Sequence, residues 1–294
     1  MNRHSAYFYL ALTILSWSAI PATSKIALAE LDNFQLLFYT GMVGVVSLLI
    51  ANAYEGKFRL IKKYGKFDFL IMFLMGALGI FLYHVFLFYG YGNAPAGQAN
   101  VFNYLWPVFI VLFSAPILKE KLSAASIIAI SISFIGAMIA FTGGSGFAGE
   151  YAAAYASAGI AAVCYGLFSV LGKKLAYDKT SSMLVYYISS AILVIPATLM
   201  YSSIVIPKSI NTIVSILFLG GIANSIAFIF WFKALEKGNT QKIANLAYAI
   251  PLLAMVWTYF LNSEMVSAYS IIGLLLILAG IALQTMRSRR LKIA

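Results

Sequence analysis

The 294-residue chain is 62% hydrophobic and only 10% charged, with a mean hydropathy of +0.91, whereas soluble domains carry about a quarter charged residues. That balance excludes a soluble enzyme and, in spite of a formal charge of +11, a nucleic-acid-binding domain; it marks an all-α integral membrane protein. One cysteine, Cys164, and two histidines, His4 and His84, leave no set for an internal disulfide, a metal site or a catalytic cluster.

Apolar stretches able to cross a hydrocarbon core of about 30 Å recur along the whole chain. Ten transmembrane helices are predicted, over 6–29, 34–54, 68–91, 97–118, 124–142, 152–172, 182–203, 211–234, 241–261 and 267–286. The longest connection, Glu55 to Phe67, leaves no room for a soluble domain.

The first span opens like a signal peptide. Its apolar run continues through Trp17 and Pro21, too far for a signal core, so it is expected as the first crossing. Lys25 can snorkel toward the boundary near Glu30. Gly41 with Gly44 in the second span, Gly76 with Gly79 in the third and the alanine-rich sixth span are expected at close helix contacts. The third span also carries Tyr83, His84 and Tyr89 within FLYHVFLFYGYG.

The fourth span, ANVFNYLWPVFIVLF, is out of character with its surroundings. Asn100, Asn103, Tyr104 and Trp106 precede Pro107, whose ring frees a backbone acceptor near mid-membrane. In lipid that acceptor needs a partner. Tyr104 and Trp106 point roughly 160° apart on an ideal helix, so both line one cavity only if the turn at Pro107 is rewound. His84 and Tyr104 stand at one depth and are expected to face each other. Cys164 in the sixth span reads as a packing residue. In the eighth span Asn224 lies mid-membrane, where a bond between helices and a solute contact are both open, and Gly220 with Gly221 supplies a place to bend. The ninth span repeats the pattern of the fourth with Asn245, Tyr248 and Pro251. Tyr7, Tyr9, Tyr201 and Tyr259 lie near membrane surfaces and are expected as interfacial anchors.

Charge sets the orientation. With the N-terminus inside, 18 of the 20 Lys and Arg fall on the inner side, the exceptions being Lys208 and Lys25. The positive-inside bias therefore predicts both termini in the cytoplasm. All nine acidic residues sit at helix ends or in loops, leaving no carboxylate at membrane depth for a proton relay. Facilitated movement or exchange is expected instead, with His84 the one group inside the membrane able to titrate near neutrality.

The two halves of the chain match. Pro107 and Pro251, Glu120 and Glu264, Ser123 and Ser267, and Gly136 and Gly280 recur at one fixed separation, and SWSAIPATSK ending at Lys25 aligns loosely with CYGLFSVLGK ending at Lys173. Each half, 1–148 and 149–294, holds five crossings, an odd number, so the second enters the membrane from the opposite face. Inverted repeats interrupted at matching positions are a signature of secondary transporters that work by alternating access.

On these residues the chain resembles the drug/metabolite transporter superfamily, EamA-type, over nearly its whole length. NYLWP at Asn103 to Pro107 and GNTQKIANLAYAIPLLA in the second half are similar to the aromatic amino acid exporter branch. The resemblance implies a bacterial inner-membrane exporter of aromatic or other neutral amino acids. Another small metabolite or a cationic drug is the alternative substrate. It also implies a central cavity lined by Tyr83, His84, Asn100, Asn103, Tyr104, Trp106 and Pro107 from one half and Asn245, Tyr248 and Pro251 from the other. Its partners are expected to be a small-molecule substrate and the lipid bilayer, with no cofactor, metal or nucleic acid, and the chain is expected to act as a monomer.

Overall fold

The computed structural model describes residues 3–143, 146–262 and 268–290; Glu264, Ser267 and Lys292 lie outside them. Every regular element among the described residues is helical. Eight helices are long and apolar enough to cross a membrane: His4–Leu28, Asn33–Tyr54, Lys66–Asn93, Gln98–Leu118, Gly149–Lys174, Lys179–Tyr201, Ile210–Lys237 and Thr240–Leu261. Two shorter apolar stretches, Ala124–Ala140 and Ile271–Leu283, coincide with the expected fifth and tenth spans.

Several spans are not continuous α-helices. The first consists of α1 (Arg3–Ser18) and α2 (Ile20–Leu28), and the second is α3 (Asn33–Tyr54), followed by the one-turn α4 (Phe58–Ile61). The third runs from α5 (Lys66–Gly76) through a π-helical segment, Ala77–Leu82, into α6 (Tyr83–Asn93). The fourth is split into α7 (Ala96–Asn103) and α8 (Trp106–Leu118), and α9 (Ala124–Thr142) follows. Then come α10 (Ala152–Lys174) and α11 (Lys179–Tyr201). The eighth span again contains a π segment, Leu219–Ile226, between α12 (Ile210–Phe218) and α13 (Ala227–Lys237). The ninth is split into α14 (Thr240–Leu246) and α15 (Ala249–Asn262), and α16 (Ala268–Arg290) is the last.

Side-chain caps explain where several helices begin. Asp32 accepts from the amides of Phe34 at 2.8 Å and Gln35 at 2.9 Å, while the Gln35 side chain accepts from the Asp32 amide at 3.0 Å. This capping box satisfies donors that the first turn of α3 cannot. Ser123, Asp178 and Asn239 cap α9, α11 and α14 through one amide each. Prolines occupy the first turns of α2 and α8, where a missing amide hydrogen costs nothing.

Close packing needs small residues, because lipid offers no hydrophobic drive between helices. A Cβ at Gly136 would come within 2.7 Å of the Gly273 carbonyl oxygen, and one at Gly280 within 2.6 Å of the Ala129 carbonyl oxygen, so α9 and α16 meet backbone to backbone. Gly44, Gly76 and Gly79 likewise lie tight against Tyr187, Tyr186 and Phe168, whereas Gly41, paired with Gly44 on sequence grounds, faces open space. The α10 helix threads the centre, with Ala158, Ala161 and Ala162 fully buried and Cys164 among its packed residues.

The helix ends sort into two sets. At one end Lys57 pairs with Asp178, Lys233 reaches Glu55 at 3.5 Å, and Lys233 and Lys237 lie over the Tyr9 ring. Tyr9, expected as an interfacial anchor, is therefore also a cation-binding face. At the opposite end Glu30 accepts from the amides of Lys208 at 2.5 Å and Ser209 at 3.3 Å, and Gln35 donates to the Ser203 carbonyl at 2.8 Å. Lys57 is raised above its ordinary 10.5, mainly by its hydrogen bond to Asp178. Burial pushes Asp178 up, yet the bonds from Lys57 and the Ser181 amide outweigh it and hold the carboxyl below its ordinary 3.8. The acid's contribution is therefore present above 3.8 and lost as pH falls through its lowered value; the lysine's is present below 10.5 and lost as pH rises through its raised one. Thermal unfolding in detergent should show a midpoint that drops on the acid side of this window. Asp178→Asn should lower the midpoint at neutral pH and shrink the acid-side drop; an unchanged acid limb would remove Asp178 as its source.

Candidate functional site

The interruptions create unmet backbone groups, and specific side chains answer them. In the third span the Ile80 carbonyl, which accepts from the Tyr83 amide where the π segment ends, also meets His84 Nδ1 at 2.7 Å. In the eighth, Trp17 Nε1 donates to the Ala223 carbonyl at 2.8 Å and Ser225 Oγ to the Gly221 carbonyl at 2.7 Å. At the break between α7 and α8, Tyr248 donates its hydroxyl to the Tyr104 carbonyl at 2.8 Å. Backbone disruption thus fixes the orientation of Trp17, His84 and Tyr248. It also rewinds the turn before Pro107 so that Tyr104 and Trp106 share one side.

They share it around a cavity of about 450 Å³, lined by Trp17, Ile20, Pro21, Tyr83, Leu87, Tyr91, Asn100, Asn103, Tyr104, Trp106, Tyr165, Asn224, Phe228 and Ile250. None of the lining side chains is ionisable near neutrality. The cavity extends from mid-membrane toward the end remote from Lys57 and Asp178, because Pro21, Tyr91 and Asn100 follow its floor in that direction along α2, α6 and α7.

The floor is a mesh of aromatic rings. Trp17 meets Trp106 at 6.0 Å, Tyr165 at 5.6 Å, Phe228 at 5.3 Å and Trp231 at 5.4 Å between centroids, and Trp106 meets Tyr165 at 5.3 Å and Trp231 at 5.2 Å. Most contacts are edge to face, a geometry worth about 0.5–1.5 kcal/mol per pair beyond burial. Trp231 is completely buried beneath the cavity and donates to Ser169 Oγ at 3.0 Å. Farther toward the basic end, Lys173 donates to Glu120 at 3.2 Å, to the Gly238 carbonyl at 3.2 Å and to Thr240 Oγ1 at 2.6 Å, and Thr240 donates to Glu120 at 2.6 Å. Gln241 adds a bond to the Lys121 carbonyl at 2.9 Å. This latch ties the end of α10 to the loops after α8 and α13, so the cavity is shut on that side.

Four lining residues carry buried polar atoms with no hydrogen-bond partner: Asn100 Nδ2, Asn103 Oδ1, Tyr165 OH and Asn224 Nδ2. An unmet buried polar atom costs about 1–3 kcal/mol, and all four of these line the same cavity.

Of the residues expected at the site, Tyr83, Asn100, Asn103, Tyr104 and Trp106 line the cavity. His84 lies one layer behind, its ring 4.8 Å from Tyr83 and 6.2 Å from Phe228. Pro107 and Pro251 are buried but shape the breaks without facing the cavity. Asn245 accepts from Ser133 at 3.1 Å and donates to the Gly280 carbonyl at 3.3 Å, between α9 and α16, and Tyr248 supports the wall through Tyr104. Trp17, Tyr91, Tyr165 and Phe228 were not singled out as site residues. The loose alignment of SWSAIPATSK with CYGLFSVLGK, which sets Trp17 against Tyr165, held the available signal.

The sequence profile of the EamA-like transporter family matches residues 4–142 and again 153–286. The chain belongs to that family. It is similar to a protein of Ancylobacter novellus described as an aromatic amino acid exporter, 30% identical over 73% of this chain and 76% of that protein. It is also similar to a probable terminal-alkyne amino-acid exporter of Streptantibioticus cattleyicolor, 26% identical over 98% of this chain and 96% of that one. A solved crystal structure superposes with a TM-score of 0.85 at 27% identity, covering 99% of both chains. This EamA-like protein is thus a multi-pass membrane transporter of a small molecule and not an enzyme, in agreement with the resemblance carried by NYLWP.

Tyr248→Phe removes the hydroxyl that donates to the Tyr104 carbonyl of this transporter. It should lower stability by about 0.5–1.5 kcal/mol, read as a reduced thermal midpoint in detergent. Tyr201→Phe, at a residue 71% exposed, should leave the midpoint unchanged. Equal midpoints for both variants would show that the carbonyl is satisfied elsewhere.

Proposed function

We propose that this EamA-like transporter exports aromatic or other neutral amino acids across the bacterial cytoplasmic membrane by alternating access. Its ten crossings form two inverted halves, 1–148 and 149–294, with both termini in the cytoplasm. The observation that carries this reading is the cavity itself: aromatic rings, amides and phenols with no ionisable group near neutrality among the lining residues. An amino acid is a zwitterion of zero net charge. Each break supplies both signs, the negative end of one half-helix beside the positive end of the next. A net cation would call for an acidic partner, which the wall lacks, and a polyanion for paired basic ones. The names of the two relatives point to amino acids as well.

The mechanism follows from the two ends of the cavity. Ring faces and edges of Trp17, Trp106 and Tyr165 take up an apolar side chain, and the amides take up its polar head. Breaking the Lys173–Glu120–Thr240 latch and parting the floor beneath Trp17 and Trp231 opens the path toward the basic, cytoplasmic end, while the breaks at Ala19, Tyr104–Leu105 and Ala247–Tyr248 act as hinges. The matched positions of Pro107 and Pro251, and the π segments in the third and eighth spans, fit a rocking of related halves. With no carboxylate on the wall, movement follows a gradient or exchanges one solute for another.

Proteoliposomes tested by counterflow with labelled amino acids should show uptake of phenylalanine, tyrosine or tryptophan above that of aspartate and lysine. Trp106→Ala should reduce that uptake by about tenfold or more, the equivalent of losing one or two aromatic contacts. His84→Ala should reduce it as well, with uptake in both variants counted per folded protein, because each truncation also removes a buried contact. A panel without any amino-acid signal would reject the reading.

A further inference from the structure

We propose that Asn100 and Asn224 receive the carboxylate of the transported amino acid, and that Asn103 with the surrounding aromatic faces receives its ammonium group. The inference rests on the amino-acid reading above and adds the orientation of the solute. Asn100, Asn224 and Asn103 are only 1%, 3% and 5% exposed, all line the cavity, and each carries one polar atom without a partner. The chemistry of those atoms divides them. Asn100 and Asn224 offer amide nitrogens, which donate, and Asn103 offers an amide oxygen, which accepts.

Neighbouring bonds set which way two of these amides face. Tyr91 donates its only hydroxyl hydrogen to Asn100 Oδ1 at 2.7 Å, so the nitrogen of Asn100 is left for another partner. His84 Nδ1 gives its hydrogen to the Ile80 carbonyl, which leaves Nε2 as an acceptor. Asn224 stands beside that ring, and neither its Nδ2 nor His84 Nε2 has a hydrogen-bond partner in this arrangement. An amide nitrogen has two hydrogens, so one N–H of Asn224 is available to the solute even when the other turns to His84. His84, absent from the wall, thereby acts on the solute as a positioning residue through Asn224.

The opposite pole has its own features. Asn103 is the last residue of α7, where the carbonyls of that half-helix carry partial negative charge. Tyr83 and Tyr91, both lining residues beside Asn103, add the quadrupole attraction that aromatic rings offer an ammonium group. Neutral amides hold both poles more weakly than an arginine or a carboxylate would. That suits a site which must also release its cargo.

The test is equilibrium competition on the full-length protein in detergent with three probes: phenylalanine, its decarboxylated analogue phenethylamine, and its deaminated analogue 3-phenylpropionate. Asn224→Asp places a negative charge beside the carboxylate position. It should weaken phenylalanine and 3-phenylpropionate by about tenfold or more while phenethylamine binds at least as well as to wild type. Asn100→Asp should give the same pattern and replaces Asn224→Asp if that variant does not fold. Asn103→Leu should do the reverse, weakening phenylalanine and phenethylamine and sparing 3-phenylpropionate. Equal losses of all three probes, or the two patterns exchanged, overturn the orientation while leaving the amino-acid reading standing. A wild-type protein that binds no amino acid overturns both.

Discussion

A hydrocarbon interior has nothing to offer a backbone carbonyl that has lost its helical partner. At several interruptions in this bundle a side chain bonds the backbone, and these bonds shape the cavity wall. Trp17 meets Ala223, His84 meets Ile80 and Tyr248 meets Tyr104. Each of these bonds spends a polar head on the backbone and leaves an aromatic ring fixed in position. The rings of Trp17 and His84 then set Trp106, Tyr165, Phe228 and Tyr83 by edge-to-face and tilted contact. Without the breaks the same residues would be rings on smooth helices, free to face lipid.

The same breaks give the bundle places to move. A continuous helix resists bending, whereas a span split at Tyr104–Leu105 or widened into a π turn has already given up some of its ladder. Tight contacts lie elsewhere, at α9 against α16 and along α10, where glycine and alanine bring backbones together. Rigid contacts beside interrupted ones are what a two-state carrier requires, since a packed interface moves as a unit and a broken helix absorbs the change.

Much of this was readable from the sequence because lipid simplifies the grammar. A crossing needs about twenty apolar residues, and the capped starts at Asp32, Ser123, Asp178 and Asn239 fall within a few residues of the expected boundaries. The polar run before Pro107 singled out the fourth span, and five residues of that run and its neighbourhood line the cavity: Tyr83, Asn100, Asn103, Tyr104 and Trp106. The π segments were not legible, since one extra residue in a turn barely disturbs an apolar pattern that has no polar face to shift. Trp17, Tyr165 and Phe228 were missed for a related reason: in an all-apolar helix a ring facing the core and a ring facing lipid look alike. Asn245 lies off the cavity wall, an amide buried between two helices that accepts from Ser133 and donates to the Gly280 carbonyl.

The distribution of charge follows from the work cycle. A carrier exposes its site to water and buries it again on every turnover. A fixed charge at the site would pay a desolvation penalty of several kcal/mol each time, against about 1–3 kcal/mol for an amide or phenol. Polar but uncharged groups therefore sit on the wall, and the ions are held at the helix ends. There Lys173 and Glu120, still partly exposed at 18% and 22%, form a contact of the kind typically worth only about 0.2–1 kcal/mol. In the proposed cycle such a latch biases the closed arrangement and breaks when a solute fills the cavity above it. Strength where the bundle must hold and weakness where it must open are thus set by the same quantity, the local access of water.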